Sequence, residues 1–381
     1  MSDQPLSWLH HAKQISKPPI ASALFYSGYY RARIRRVRNR AIILAYHRVG
    51  GPDAARGDVW ANGFEHGVSA ARFEGHMRFI REEMNPVSLA ELAEHVHLDT
   101  PLPPRAIAVT FDDGYQDNYL HAFPILARYR IPATIFVPTG MVDSGRMFWW
   151  DQVFAMLRST TQEALDLGSL PPHREHWVTG GRDAVIPLIT RRHKTEASEV
   201  VNERMRCLPP DRLPETLAAL RAALKTSDPQ ETGSDLLLTW KQILEMRNHG
   251  ISIEAHTHSH RNLALLTDAE VEDELRTSKT ILDEKFGAPI VGLAYPWGVP
   301  GTYTESVKRI ARRVGFRYGC VIGPGTVGLG VDVFGLARVT VGNASLPLII
   351  RDWLNVYAME PARASQGDAR AGRHVRDLPP Q

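Results

Sequence analysis

Two aspartates stand side by side, Asp112-Asp113, between Phe111 and Gly114. Adjacent carboxylates repel, and a cation or a shared proton must offset that cost. A second cluster offers partners: His256-Thr257-His258-Ser259-His260. Neutral imidazole nitrogens together with a carboxylate suit zinc or a similar divalent ion. The His-x-x-x-His spacing lets two imidazoles reach one ion, whether the stretch is a turn or a short helix. Position 257 is Thr, so this is not the helical His-Glu-x-x-His pattern of zinc proteases, and a general base must come from elsewhere. Three protein ligands with open positions mark a catalytic site rather than a structural one. A third unusual stretch is Tyr295-Pro296-Trp297-Gly298.

These stretches need elements to hold them. Ile107 to Phe111 is a short apolar run and reads as a buried strand that stops at the two acids. Ala133 to Val137, Ile251 to Ala255 and Ile290 to Ala294 read as further strands, the last two running into the histidine cluster and into Tyr295. Ala41 to Val49 is the first buried strand; it carries Tyr46-His47, and Gly50-Gly51-Pro52 breaks it. His47 either lines a cleft at that strand end or is a satisfied structural histidine. Strands are also expected at 316–321 and 333–341. Between them lie helical patterns: residues 69–97 in two helices capped by Ser69 and Ser88, Asp117 through Leu126 with a kink or early stop at Pro124, Leu238 to Asn248, Asp268 to Phe286 capped by Thr267, and 304–314. Alternating strands and helices predict parallel pairing, and chemistry in such folds sits where strands end. Residues from about 141 to 235 differ, with helical patterns punctuated by Pro171-Pro172, Gly180-Gly181 and Pro209-Pro210. They read as a mostly helical insertion. It opens on Phe148-Trp149-Trp150-Asp151, whose indoles either wall a sugar site or pack the insertion onto the core.

The bulk properties narrow the class. The 381 residues are 43% hydrophobic and 23% charged, with a net charge of +3, as in an ordinary soluble protein and too weakly basic to imply nucleic acid. The two cysteines, Cys207 and Cys320, have no metal or disulfide spacing. No apolar run approaches the roughly 20 residues that span a bilayer. A signal peptide is not expected either, because basic residues follow the apolar stretch Ile20 to Tyr30. The expectation is a chain that starts near Met1 and stays on the cytoplasmic side. Residues 1–40 hold eight Lys or Arg against one acid, Asp3, with Trp8, Phe25, Tyr26, Tyr29 and Tyr30 beside the arginines. That composition suits a segment peripheral to an anionic membrane surface, or a solvated helix docked on the domain. Residues 361–381 read as a disordered tail.

With these stretches set out, the chain resembles the polysaccharide deacetylases, the NodB-homology or carbohydrate esterase family 4 domain. Thr110-Phe111-Asp112-Asp113-Gly114 is similar to that family's first motif, His256 to His260 to its second, and Leu293-Ala294-Tyr295-Pro296-Trp297-Gly298, more loosely, to its third. The resemblance implies an α/β fold, a distorted, incomplete (β/α) barrel of about seven strands, over residues 41–360 and interrupted by the insertion. It implies that Asp113, His256 and His260 hold a divalent ion, most simply Zn2+. Asp112 would then be the general base, and the backbone N–H of Trp297 would face the developing oxyanion.

Two positions depart from the family pattern. Where the third motif often has an arginine, this chain has Ala294, with Arg338 a guessed substitute from another strand. The usual general-acid histidine is missing, since His374 is the only histidine after His260. His47 is the candidate acid and His258 the other. These gaps resemble the exopolysaccharide and biofilm branch. The implied activity is removal of N-acetyl groups from amino sugars of a bacterial surface polysaccharide or its precursor, which would be the partner. Alternatives are deformylation or O-acetyl ester cleavage on a lipid-linked sugar, and a catalytically weak carbohydrate-binding protein.

Overall fold

Seven apolar segments become parallel strands: β1 (Arg40–Tyr46), β2 (Ala106–Phe111), β3 (Ala133–Val137), β4 (Ser252–Ala255), β5 (Gly292–Ala294), β6 (Tyr318–Ile322) and β7 (Leu336–Thr340). The structure is a computed structural model that describes residues 18–50, 67–171, 177, 184–229 and 236–359. Around the ring the order is β1, β7, β6, β5, β4, β3, β2. Pairing of β1 with β2, from Ile42 opposite Ile107 to Tyr46 opposite Phe111, closes it. This is the seven-stranded α/β barrel expected. Every residue of β2 is buried, because helices cover the outside while side chains fill the inside. Residues 85–86 add a parallel pairing to β2, and residues 327–328 pair antiparallel with β1.

The helices are α1 (Pro18–Tyr26), α2 (Tyr29–Ile34), α3 (Ala70–Glu83) and α4 (Leu89–His97), then α5 (Phe123–Tyr129) and α6 (Trp149–Ser159). After them come α7 (Arg191–Arg206), α8 (Leu213–Leu224), α9 (Trp240–Asn248), α10 (Asp268–Phe286), α11 (Glu305–Val314) and α12 (Leu346–Ala358). Ser69 and Ser88 accept from the backbone N–H three residues on, and Thr267 forms a full capping box with Glu270. Pro124 does not stop its helix. A π-helical stretch over Asn118–Ala122 precedes it, so the proline falls in the first turn of α5, where no N–H is needed.

Two regions decide what surrounds the barrel. Phe25, Tyr30 and Ile34 of α1 and α2 are buried in the same core as the barrel, and Arg31 Nε lies 2.9 Å from Glu83 Oε1. The described part of the basic N-terminal segment is therefore docked on the domain, with Ile20, Tyr26 and Tyr29 left exposed. Residues 1–17 and the tail beyond residue 359 lie outside the described residues. No helix among the described residues is long and apolar enough to cross a membrane. The insertion has a separate core, including Val153, Leu157, Val201, Leu220 and Trp177. Its described residues are mostly helical, with an antiparallel pairing of residues 164–166 with 185–187 that its sequence does not advertise.

Candidate active site

The two acids separate at a tight turn. Asp112 N–H continues the β1–β2 ladder to the carbonyl of Tyr46 at 3.0 Å. Asp113 (φ 72°) and Gly114 (φ 66°) then take the left-handed conformation, which Asp and Gly tolerate best. A Cβ on Gly114 would lie 3.2 Å from Val137 Cγ1. Past that turn the neighbouring carboxylates meet different partners.

Asp112 meets Arg338 of β7. The guanidinium donates to Oδ1 at 2.6 Å and to Oδ2 at 2.7 Å, and also to Thr110 Oγ at 3.2 Å. Arg338 is 0% exposed and Asp112 3%, so this is a forked pair with both charges buried. Burial alone would raise the Asp112 carboxyl. Arg338 first, and His256 and His47 after it, more than offset burial and hold the carboxyl below its usual range. The strand that supplies this arginine is not the one that bears Ala294.

Asp113 meets the histidine cluster, which is a turn and not a helix. Thr257 (φ 64°) and His260 (φ 57°) are both left-handed, and His260 N–H is held by Thr257 Oγ at 3.1 Å. His256 Nε2 lies 3.5 Å and His260 Nε2 3.2 Å from Asp113 Oδ1. His256 Nδ1 is 2.7 Å from the Ala294 carbonyl, which fixes that ring. Burial pushes the Asp113 carboxyl up, but the two facing imidazoles bring it well below its normal value. Asp113 and Asp112 raise His256 against burial; at His260 burial prevails and lowers it. One ligand atom from each of Asp113, His256 and His260 lies within 4.8 Å of the other two, and all three residues are buried. Two imidazoles and a carboxylate converging at that spacing fit a divalent ion.

A residue outside the sequence reading holds this turn. Glu274 of α10 accepts from the N–H of His258 at 3.1 Å, from the N–H of Ser259 at 2.8 Å and from the Ser259 hydroxyl. Its signal in the sequence is a carboxylate on the buried face of α10, among Val271, Leu275 and Ser278. His258 itself bonds Thr139 Oγ at 2.9 Å and fills the space beside Gly140, where a Cβ would lie 2.9 Å from its ring.

His47 follows β1 at the same end of the barrel, close enough that its charge acts on both Asp112 and Asp113. Its carbonyl accepts from Asn118 Nδ2 at 2.9 Å, and the next residue, Arg48, pairs with buried Asp117 at 2.5 Å. Trp297 (φ 64°) follows β5, with its ring centroid 5.4 Å from that of His260. Gly298 must be glycine there, since a Cβ would lie 2.8 Å from Ile322 N. The strand ends thus gather Asp112, Asp113, His256, His260, His47 and Trp297. The insertion reaches the same place. Trp150 packs 4.8 Å from His260 and 4.9 Å from Trp297, and Trp149 lies 5.6 Å from Trp297. Next to them Asp151 is buried and accepts from the Tyr115 hydroxyl at 3.0 Å; burial pushes its carboxyl up to about 7.

A family model described as polysaccharide deacetylase matches residues 99–164 and 196–319, and the gap between the two segments falls inside the insertion. The chain is 23% identical over 300 residues to the Bacillus subtilis (strain 168) protein YxkH, an alignment covering 78% of this chain and 70% of that one. It is 35% identical over 113 residues to a poly-beta-1,6-N-acetyl-D-glucosamine N-deacetylase of Escherichia coli (strain K12), covering 25% of this chain but only 17% of the relative. Among solved structures it is similar to the Streptococcus pyogenes deacetylase PplD in complex with acetate. That likeness has a TM-score of 0.53 and 19% identity, and covers 84% of this chain and 99% of the other.

Proposed function

Because the chain belongs to the polysaccharide deacetylase family, hydrolases of a carbon–nitrogen bond that include biofilm polysaccharide N-deacetylases, we propose that it takes acetyl groups off N-acetylated amino sugars of a bacterial surface polysaccharide or its precursor with the help of a divalent ion. The observation that carries this reading is the split between two adjacent acids. Asp112 sits on Arg338, while Asp113 faces two imidazole Nε2 atoms. Asp113, His256 and His260 would hold the ion, zinc being the simplest choice; when bound it supplies Lewis-acid polarisation and acidifies water.

The chain's own groups do the rest. Asp112, kept ionised and aimed by Arg338, takes a proton from the attacking water as general base. The backbone N–H of Trp297 is assigned to the oxygen that gains charge at the acyl carbon. His47, beside both acids, hands a proton to the departing sugar nitrogen. The products are acetate and a free amine on the sugar.

The name of the E. coli relative makes β-1,6-linked N-acetylglucosamine oligomers the first substrate to assay. The zinc- or cobalt-loaded protein should release acetate from them. Asp112→Asn should keep its metal and lose roughly 100-fold or more in kcat. Wild-type turnover in Asp112→Asn, or a purified chain that takes up no zinc, cobalt or nickel, would overturn the assignment.

A further inference from the structure

The two histidines facing Asp113 are anchored differently. His256 has its Nδ1 on a backbone carbonyl, the usual way a ligating imidazole is held in plane. His260 does not: its buried Nδ1 makes no hydrogen bond to another residue among those described. What surrounds the ring is aromatic. Phe148 lies 5.6 Å away, Trp150 4.8 Å and Trp297 5.4 Å, centroid to centroid.

Of these three, Trp150 has its own lock. Its Nε1–H donates to the Tyr115 hydroxyl at 2.8 Å, and that hydroxyl donates to Asp151 Oδ2 at 3.0 Å. The hydroxyl thus accepts one bond and donates the other, which fixes its rotation. The Tyr115 ring lies under the Arg48 guanidinium at 4.0 Å and edge-on to Phe148 at 5.8 Å. Phe148 stacks on Trp150 at 4.3 Å with 10° between planes. Tyr115 follows the Asp112-Asp113-Gly114 turn, whereas Trp150 and Asp151 open the insertion. The two hydrogen bonds therefore join the insertion to the loop that bears the acids.

We infer that Trp150, locked by Tyr115 and Asp151, is a positioning residue that sets the planes of His260 and Trp297, so that the insertion forms a working wall of the catalytic cleft. It acts by packing, in place of the hydrogen bond that His260 lacks. The inference rests on the hydrolase reading for its kinetic arm and on the proposed metal site for its spectroscopic arm.

The test uses Tyr115→Phe, which removes only the bridging oxygen, and Trp150→Phe, which keeps a ring but removes the donor. Each should lower kcat roughly tenfold on an acetylated amino-sugar oligomer with KM within about twofold. The double variant should be no slower than the slower single one, because both break one lock. Asp151→Asn, which still offers an acceptor oxygen, should recover most of the kcat lost in Asp151→Ala. The second readout is the visible spectrum of the cobalt-loaded protein, which should shift in both single variants because the His260 ring is freed. If one single variant does not fold, the other carries both readouts. An unchanged cobalt spectrum, or single effects that multiply in the double variant, overturns the inference. So does an Asp151→Asn as impaired as Asp151→Ala. A wild-type chain without turnover counts against the hydrolase reading, and the spectrum alone then decides the positioning role.

Discussion

Asp112 and Asp113 share a peptide bond and almost nothing else. One answers to a guanidinium 0% exposed, the other to two imidazoles. A buried pair is costly to break from one side, because the remaining charge has no partner. Arg338→Met should therefore destabilise the fold by about 3–5 kcal/mol. Adding Asp112→Asn should restore part of that loss, read from denaturant midpoints. Equal stability of wild type and Arg338→Met would mean that the pair is not formed. At this scale the sequence displays Asp112, Asp113, His256 and His260 openly, since each lies in a short motif at a strand end. Arg338 is legible only as a guess, because its partner is 226 positions away. Glu274 and the Tyr115–Asp151 bond are not legible at all: nothing local says which distant backbone or hydroxyl a lone acid will meet.

Helices α2 and α3 show how elements carry their own chemistry. His76 of α3 is 0% exposed; its Nδ1 lies 3.2 Å from the Tyr46 hydroxyl at the end of β1, and Trp353 of α12 packs on its ring. Burial, and then the charge of Arg72, push this imidazole down to about 4. In the unfolded chain its value is the ordinary one near 6.5. The unfolded chain thus takes up the proton first as pH falls. The contribution to stability is full above about pH 6.5 and fades towards pH 4, on the order of 3 kcal/mol in all. His76→Asn should lower stability at pH 7 yet flatten this part of the curve; an unchanged slope in urea melts would dismiss the role. On α2, Ile34 is fully buried, so Ile34→Ala should cost about 2–4 kcal/mol. A neutral outcome would mean that the N-terminal helices do not dock. Helices with polar caps, such as α10 behind Thr267, can be read from sequence to the residue. Helix α12 is not legible in the sequence, because Leu346-Pro347-Leu348-Ile349-Ile350 is an unbroken apolar run without helical alternation, and its side chains are sorted only by docking. The early stop expected at Pro124 did not occur for a related reason: a π-helical stretch before it leaves the proline in the first turn of α5.

For the molecule as a whole, strand and helix order pointed to parallel pairing, and the family resemblance implied the barrel. Its closure rests on β1, which pairs with β2 on one side and β7 on the other. The buried ion pair follows the same logic, with Asp112 after β2 and its counter-ion Arg338 on β7. Chains are made from the N-terminus at roughly 5–20 residues per second, so 226 positions correspond to on the order of ten to forty-five seconds. Throughout that time the acid exists and its arginine does not. A chain halted at Gly335 holds Asp113, His256 and His260 and yet has neither the arginine nor the closing strand. Such a truncation should show no cooperative thermal transition by circular dichroism and should be recovered in the insoluble fraction; a soluble, cooperatively melting product would contradict it. A copy that has not yet reached β7 therefore has an acid without its counter-ion and a barrel without its closing strand, which makes the unfinished chain a natural client for chaperones.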